Sequence, residues 1–188
     1  LVDVAWRDTA GIVHYSHWDD GAFTIDGEEV LPAARAVMGV SRDGDVVTVG
    51  LNVNGNAVKY TREGTGQWTA SDTGADIEGT AAPCGAYDAD PMTGFGGFLF
   101  KEADSNDIVY VHEVSAGTWA KDILETAVTN TNFGRYADLV YTPAGVAIGA
   151  YKTCLTGTTT YRFRAGAITG PGALASLNQA FVKQHQAL

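Results

Sequence analysis

Val46-Val47-Thr48-Val49-Gly50-Leu51-Asn52-Val53, then Asn54-Gly55-Asn56, then Ala57-Val58-Lys59-Tyr60, is the stretch that decides how this chain is read. Two runs rich in β-branched and aromatic residues flank an Asn-Gly turn, the strongest short-range mark of a hairpin. Gly66-Gln67-Trp68 follows closely. The same order recurs in both directions. Upstream stand Val2–Trp6, a turn over Arg7–Gly11, Ile12-Val13-His14-Tyr15 and Gly21-Ala22-Phe23. Downstream, Gly97–Phe100, a turn at Asp104–Asp107, Ile108-Val109-Tyr110-Val111 and Gly117-Thr118-Trp119 repeat it. A fourth copy reads Val146–Tyr151, a turn at Thr153–Gly157, Thr158–Tyr161 and Gly166-Ala167-Ile168. The anchors Phe23, Trp68, Trp119 and Ile168 are 45, 51 and 49 residues apart. Strand-and-turn units at that period predict propeller blades.

A further run precedes each later copy: Arg35–Val40, Cys84–Tyr87 and Tyr136–Tyr141. Each complete unit is then four antiparallel strands, the first innermost. Copy one lacks its first strand, because the chain starts inside the second at Val2. The stretch Asn178–His185 is expected to fill that place beside Val2–Trp6. Both chain ends would then complete one blade and close a four-bladed ring without open sheet edges. The expected blades are 1–28 plus 178–188, 33–72, 83–124 and 134–170, in one all-β domain. Leu174, Leu177, Phe181 and Leu188 also fit helical spacing, so a helix over 174–188 stays open.

Composition agrees with a single β-domain. The 188 residues include 23 glycines and 19 aromatics (eight Tyr, seven Phe, four Trp), which suits short strands and tight turns. A net charge of −10 without a Lys/Arg cluster disfavours nucleic acid and anionic membrane surfaces as partners. No apolar run approaches the ~18 residues of a membrane-spanning helix. A start at Leu1 without methionine suggests a mature or excised product. An extracellular or cell-surface location is expected.

The run Phe133-Gly134-Arg135-Tyr136-Ala137-Asp138-Leu139-Val140-Tyr141-Thr142-Pro143-Ala144-Gly145, continued by Val146–Tyr151, resembles the blade repeat of secreted bacterial β-propeller proteins. Tyr60 with Gly66-Gln67-Trp68, and Val111 with Gly117-Thr118-Trp119, are similar to the later part of that repeat. Blades ending in Gly-x-Trp also resemble those of fucose-type lectin propellers. The resemblance implies the fold. It does not extend to fucose specificity, since no Arg and Glu recur at matched places.

Residues able to carry chemistry are few. Cys84 opens a first strand and Cys154 lies in the following blade's turn between second and third strands. Both are expected on one face, where a disulfide would close 70 residues for about 4 kcal/mol. His14, His17, His112 and His185 show no metal spacing, and no nucleophile elbow or phosphate loop occurs. Asp88-Ala89-Asp90, Asp104–Asp107 and Asp43-Gly44-Asp45 could attract calcium, but none matches a calcium loop and turn formation accounts for them. No cofactor is therefore expected. Trp68 and Trp119 recur with the blade and are read as packing between sheets, whereas Trp6 and Trp18 do not recur.

Three functions follow. The first is a non-catalytic binding or adhesion module for a glycan or protein partner. Its expected contact residues are Trp6, Arg7, Asp8, Asn52, Asn54, Asn56, Glu102, Asp104, Asn106, Arg135, Tyr136 and Lys152, on the face of turns between second and third strands. The second is a structural subunit of a surface appendage. The third is a polysaccharide hydrolase, for which Asp3, Asp88, Glu102 and Asp138 would have to converge to ~5–10 Å.

Overall fold

The computed structural model describes residues 2–19, 22–23, 29–77, 85–126, 137–154, 161–170 and 173–176. These residues form sixteen strands and no helix. The strands build four four-stranded antiparallel sheets that follow one another along the chain. Sheet 1 holds β1 (Val2–Arg7), β2 (Val13–Asp19), β3 (Ala22–Phe23) and β4 (Glu29–Leu31), the last two both pairing with β2. Sheet 2 is β5 (Ala36–Asp43), β6 (Val46–Val53), β7 (Asn56–Glu63) and β8 (Thr69–Asp76). Sheet 3 is β9 (Gly85–Ala89), β10 (Gly96–Lys101), β11 (Ile108–Ser115) and β12 (Thr118–Glu125). Sheet 4 is β13 (Ala137–Tyr141), β14 (Ala147–Cys154), β15 (Tyr161–Gly170) and β16 (Ala173–Ser176).

Each sheet stacks on the next. The first strands pack in series, β5 on β9 and β9 on β13, while β1 packs on β5. Three apolar layers fill the gaps. Val13 and Tyr15 of sheet 1 meet Val47, Val49, Leu51 and Val58 of sheet 2. Ala57 and Ile77 of sheet 2 meet Phe98, Phe100, Val109 and Val111 of sheet 3. Leu99, Ile108 and Tyr110 of sheet 3 meet Leu139, Ala147 and Tyr151 of sheet 4. A strand covered on both faces reads as a continuous apolar run, which is why β6 and β10 are buried nearly throughout.

Close approach explains two glycines inside strands. A Cβ on Gly50 would lie 2.2 Å from the Tyr87 ring, and one on Gly39 2.1 Å from the Tyr87 carbonyl oxygen. Polar ties add to the packing between sheets 2 and 3. Buried Lys59 donates from Nζ to Glu113 Oε2 at 2.5 Å and to the Gly94 carbonyl at 3.2 Å. Trp68 stands edge-on to Tyr15 of sheet 1, and Trp119, packed near Phe98 of its own sheet, donates from Nε1 to Ser71 Oγ of sheet 2 at 2.9 Å.

The sense of β1 identifies its place. Asp3, near its start, receives Arg42 from the end of β5, and Arg7, at its close, donates to Ala34 just before β5. β1 therefore runs antiparallel to β5, as the second strand β6 does. Among the described residues no strand pairs with the other edge of β1. The stretch 178–188 expected there lies outside the described residues, and so does Cys84. In the fourth copy the strands differ from the sequence reading. Gly166-Ala167-Ile168 belongs to the third strand, β15, and the fourth is β16. The Gly-x-aliphatic anchor misplaced it, because the pairing of β14 with β15 continues as far as Ile148 opposite Ala167.

Candidate functional site

The turns between second and third strands of sheets 1, 2 and 3 lie at one end of the stack. Aligned on a polar residue near the end of each second strand, the cross-strand pairs correspond in all four sheets. These residues pair as Arg7–Val13, Asn52–Ala57, Lys101–Ile108 and Lys152–Phe163, the second and fourth hairpins carrying one and two more pairs toward the turn. The next are Trp6–His14, Leu51–Val58, Phe100–Val109 and Tyr151–Arg164. A polar residue thus stands at the same point of every second strand.

In three sheets this residue fastens the adjoining loop. Arg7 Nε donates to the Ala34 carbonyl at 2.7 Å. Asn52 Oδ1 accepts from the Gly55 amide at 2.9 Å. Lys101 Nζ donates to Asn106 Oδ1 at 2.9 Å. Lys152 occupies the fourth position, half-buried on β14. Lys101 escaped the sequence reading because the third copy's run was ended at Phe100. The signal was present, since a polar residue follows the large apolar or aromatic one in every second strand: Trp6-Arg7, Leu51-Asn52, Phe100-Lys101 and Tyr151-Lys152.

Backbone hydrogen bonds then join turn to turn. The Ala34 amide donates to Gly11 O, Arg35 to Asn52 O, Ile77 to Gly55 O, and Ala103 to Asp76 O. The series links sheets 1, 2 and 3. Asn54 at φ 57° and Gly55 at φ 110° form the left-handed pair that a two-residue hairpin turn requires. Asn106, at φ 61°, takes the same strained region in the next sheet's turn.

The expected contact residues divide by what they touch. Asp8 Oδ1 accepts from the Ile12 amide at 2.8 Å, and Oδ2 lies 3.2 Å from His14 Nε2. The His14 bond holds the Asp8 carboxyl below its ordinary range, against the opposing effect of burial. Glu102 accepts Ser105 Oγ at 2.7 Å and Lys121 Nζ at 2.8 Å. Asn56 Nδ2 donates to Asp72 at 3.3 Å. Arg7, Asp8, Asn52, Glu102 and Asn106 therefore shape turns, while Asn54 and Asp104 are exposed at their tips. Trp6 does not point along this end. It lies on the outer face of sheet 1, stacked on His14 with centroids 5.3 Å apart and planes at 16°. Arg135 and Tyr136 lie outside the described residues.

The acids considered for hydrolysis are each engaged by partners within the fold. Asp88 Oδ2 accepts the Tyr141 amide at 2.8 Å, and Asp138 Oδ1 the Leu139 amide at 3.0 Å. Asp3 is bonded by Arg42 and Tyr15. Asp90 closes its own turn by accepting from the Met92 amide and Thr93 hydroxyl. Among the described residues no group of three His, Cys, Asp or Glu side chains is placed to hold a metal ion. No protein-family model matches the chain, and no curated protein is significantly similar to it.

Proposed function

We propose that this chain is a non-catalytic recognition module whose four sheets are the blades of a β-propeller-type scaffold. Its partner is a glycan or protein met outside the cell or at its surface. One observation carries the reading: backbone hydrogen bonds from Gly11 through Asn52 and Gly55 to Ala103 knit turns of three sheets into one polar platform. A preformed surface loses little conformational entropy on binding, so modest contacts suffice for specificity. Asn54 and Asp104, exposed at the turn tips, are the groups offered to the partner, and Arg7, Asn52 and Lys101 hold those tips in place.

The reading is tested by screening the parent on a glycan array and a panel of surface proteins, then comparing an Asn54→Ala/Asp104→Ala double variant. The variant is expected to lose at least about tenfold in affinity, a loss of one to two polar contacts, with unchanged circular dichroism. Equal binding by the variant would remove the platform from consideration. Release of reducing sugar from any polysaccharide by the parent would favour a hydrolase instead.

A further inference from the structure

The inter-sheet contact near the turns repeats three times. A large residue from the second strand of one sheet packs against a third-strand residue of the sheet before it. Leu51 seats on the layer with Val13, Phe100 on that with Ala57, and Tyr151 on that with Ile108. All six are at most 2 % exposed. Aligned on Arg7, Asn52, Lys101 and Lys152 and their cross-strand partners, Trp6 takes the place of Leu51, Phe100 and Tyr151, and Phe163 the place of Val13, Ala57 and Ile108. Yet Trp6 is 38 % and Phe163 77 % exposed. Among the described residues the projecting residue of the first sheet has no seat, and nothing sits on that of the last sheet.

Other exposed apolar side chains share these two outer sheets. Val2 and Val30 accompany Trp6 on sheet 1, and Val140 accompanies Phe163 on sheet 4, all exposed. Contiguous exposed apolar residues on a folded chain mark an interaction surface. The occupant is indicated by the chain's own interfaces, because each face is the half of a sheet-on-sheet contact whose other half stands at the opposite end of the stack. We propose that a second copy of this chain stacks its first sheet on the fourth sheet of its neighbour, with Trp6 seated on Phe163. The contact is head-to-tail, and two copies making it reciprocally close a ring of eight sheets. It does not depend on what the turn platform binds.

Sedimentation equilibrium of the intact chain over a wide concentration range, beside Trp6→Asp and Phe163→Asp variants, tests this. The parent is expected to dimerise. Each variant should associate about thirtyfold more weakly, as for a central interface aromatic. Both positions face solvent in one copy, so circular dichroism should not change. A head-to-tail contact makes a further demand. Mixing the two variants must restore one interface, because the Trp6→Asp chain keeps Phe163 and the Phe163→Asp chain keeps Trp6. A parent that stays monomeric throughout overturns the proposal, including the case in which residues 178–188 close the stack within one chain. Variants that dimerise like the parent, or a mixture that does not associate, also overturn it.

Discussion

Asp3 sits between two sheets in a cluster that acid should loosen. Arg42 donates to both of its oxygens at 2.7 Å, and the same guanidinium donates to the Tyr15 hydroxyl, which bonds Asp3 in turn. Burial favours the neutral carboxyl, but the bonds from Arg42 and Tyr15 outweigh it and lower the Asp3 pKa below 3.8. Burial, with Asp3 nearby, pushes the Tyr15 phenol up to about 12, so it stays protonated and keeps donating. A carboxyl with a depressed pKa stabilises the fold above its unfolded value, and that contribution is lost as pH falls through the folded value. Urea midpoints measured from neutral pH down past 3.8 should therefore decline more steeply for the parent than for Asp3→Asn. Parallel curves would show that the cluster is energetically neutral. Nothing in the spacing of Asp3, Tyr15 and Arg42 announces this site, because they meet only through the stacking of sheets 1 and 2.

The hairpin β6–β7 shows how much an element owes to two residues. Asn54-Gly55 was legible as its turn from sequence alone, since only Gly and Asn accept positive φ at low cost. At Gly55 the nearest atom to an added Cβ is Arg35 Nη1 at 3.4 Å, so space is available and the backbone at φ 110° is the obstacle. Gly55→Ala is expected to cost about 1–2 kcal/mol in chemical denaturation. A neutral result would mean that the turn relaxes to another type. Gly50 is the contrasting case. It was read only as one residue of a strand, and its necessity comes from the Tyr87 ring of the next sheet.

At the scale of the molecule, three repeats of one interface hold four sheets in series, and β1 enters that series in the sense of a second strand, with no first strand beside it among the described residues. A strand edge left open exposes backbone donors and acceptors that would recruit another strand. Removing residues 177–188, which contain the run expected to pair there, should lower the melting temperature and promote aggregation. A truncated chain that stays soluble with unchanged melting would show that the edge is protected otherwise.

The sequence by itself determined the all-β class, the four-fold recurrence and the hairpin turns. These are local properties, carried by period-two alternation, Asn-Gly chemistry and the distance between turns. Only tertiary structure decided which residues touch. Alternation assigns Trp6 and Leu51 to a strand face, but burial depends on whether another sheet covers that face. Leu51 has sheet 1 against it, whereas Trp6 has no described sheet over it and remains exposed. Arg7 likewise looked free to meet a ligand until the Ala34 carbonyl, 27 residues away, proved to be its partner. Contacts between distant segments arise from how sheets stack, and no local pattern encodes that.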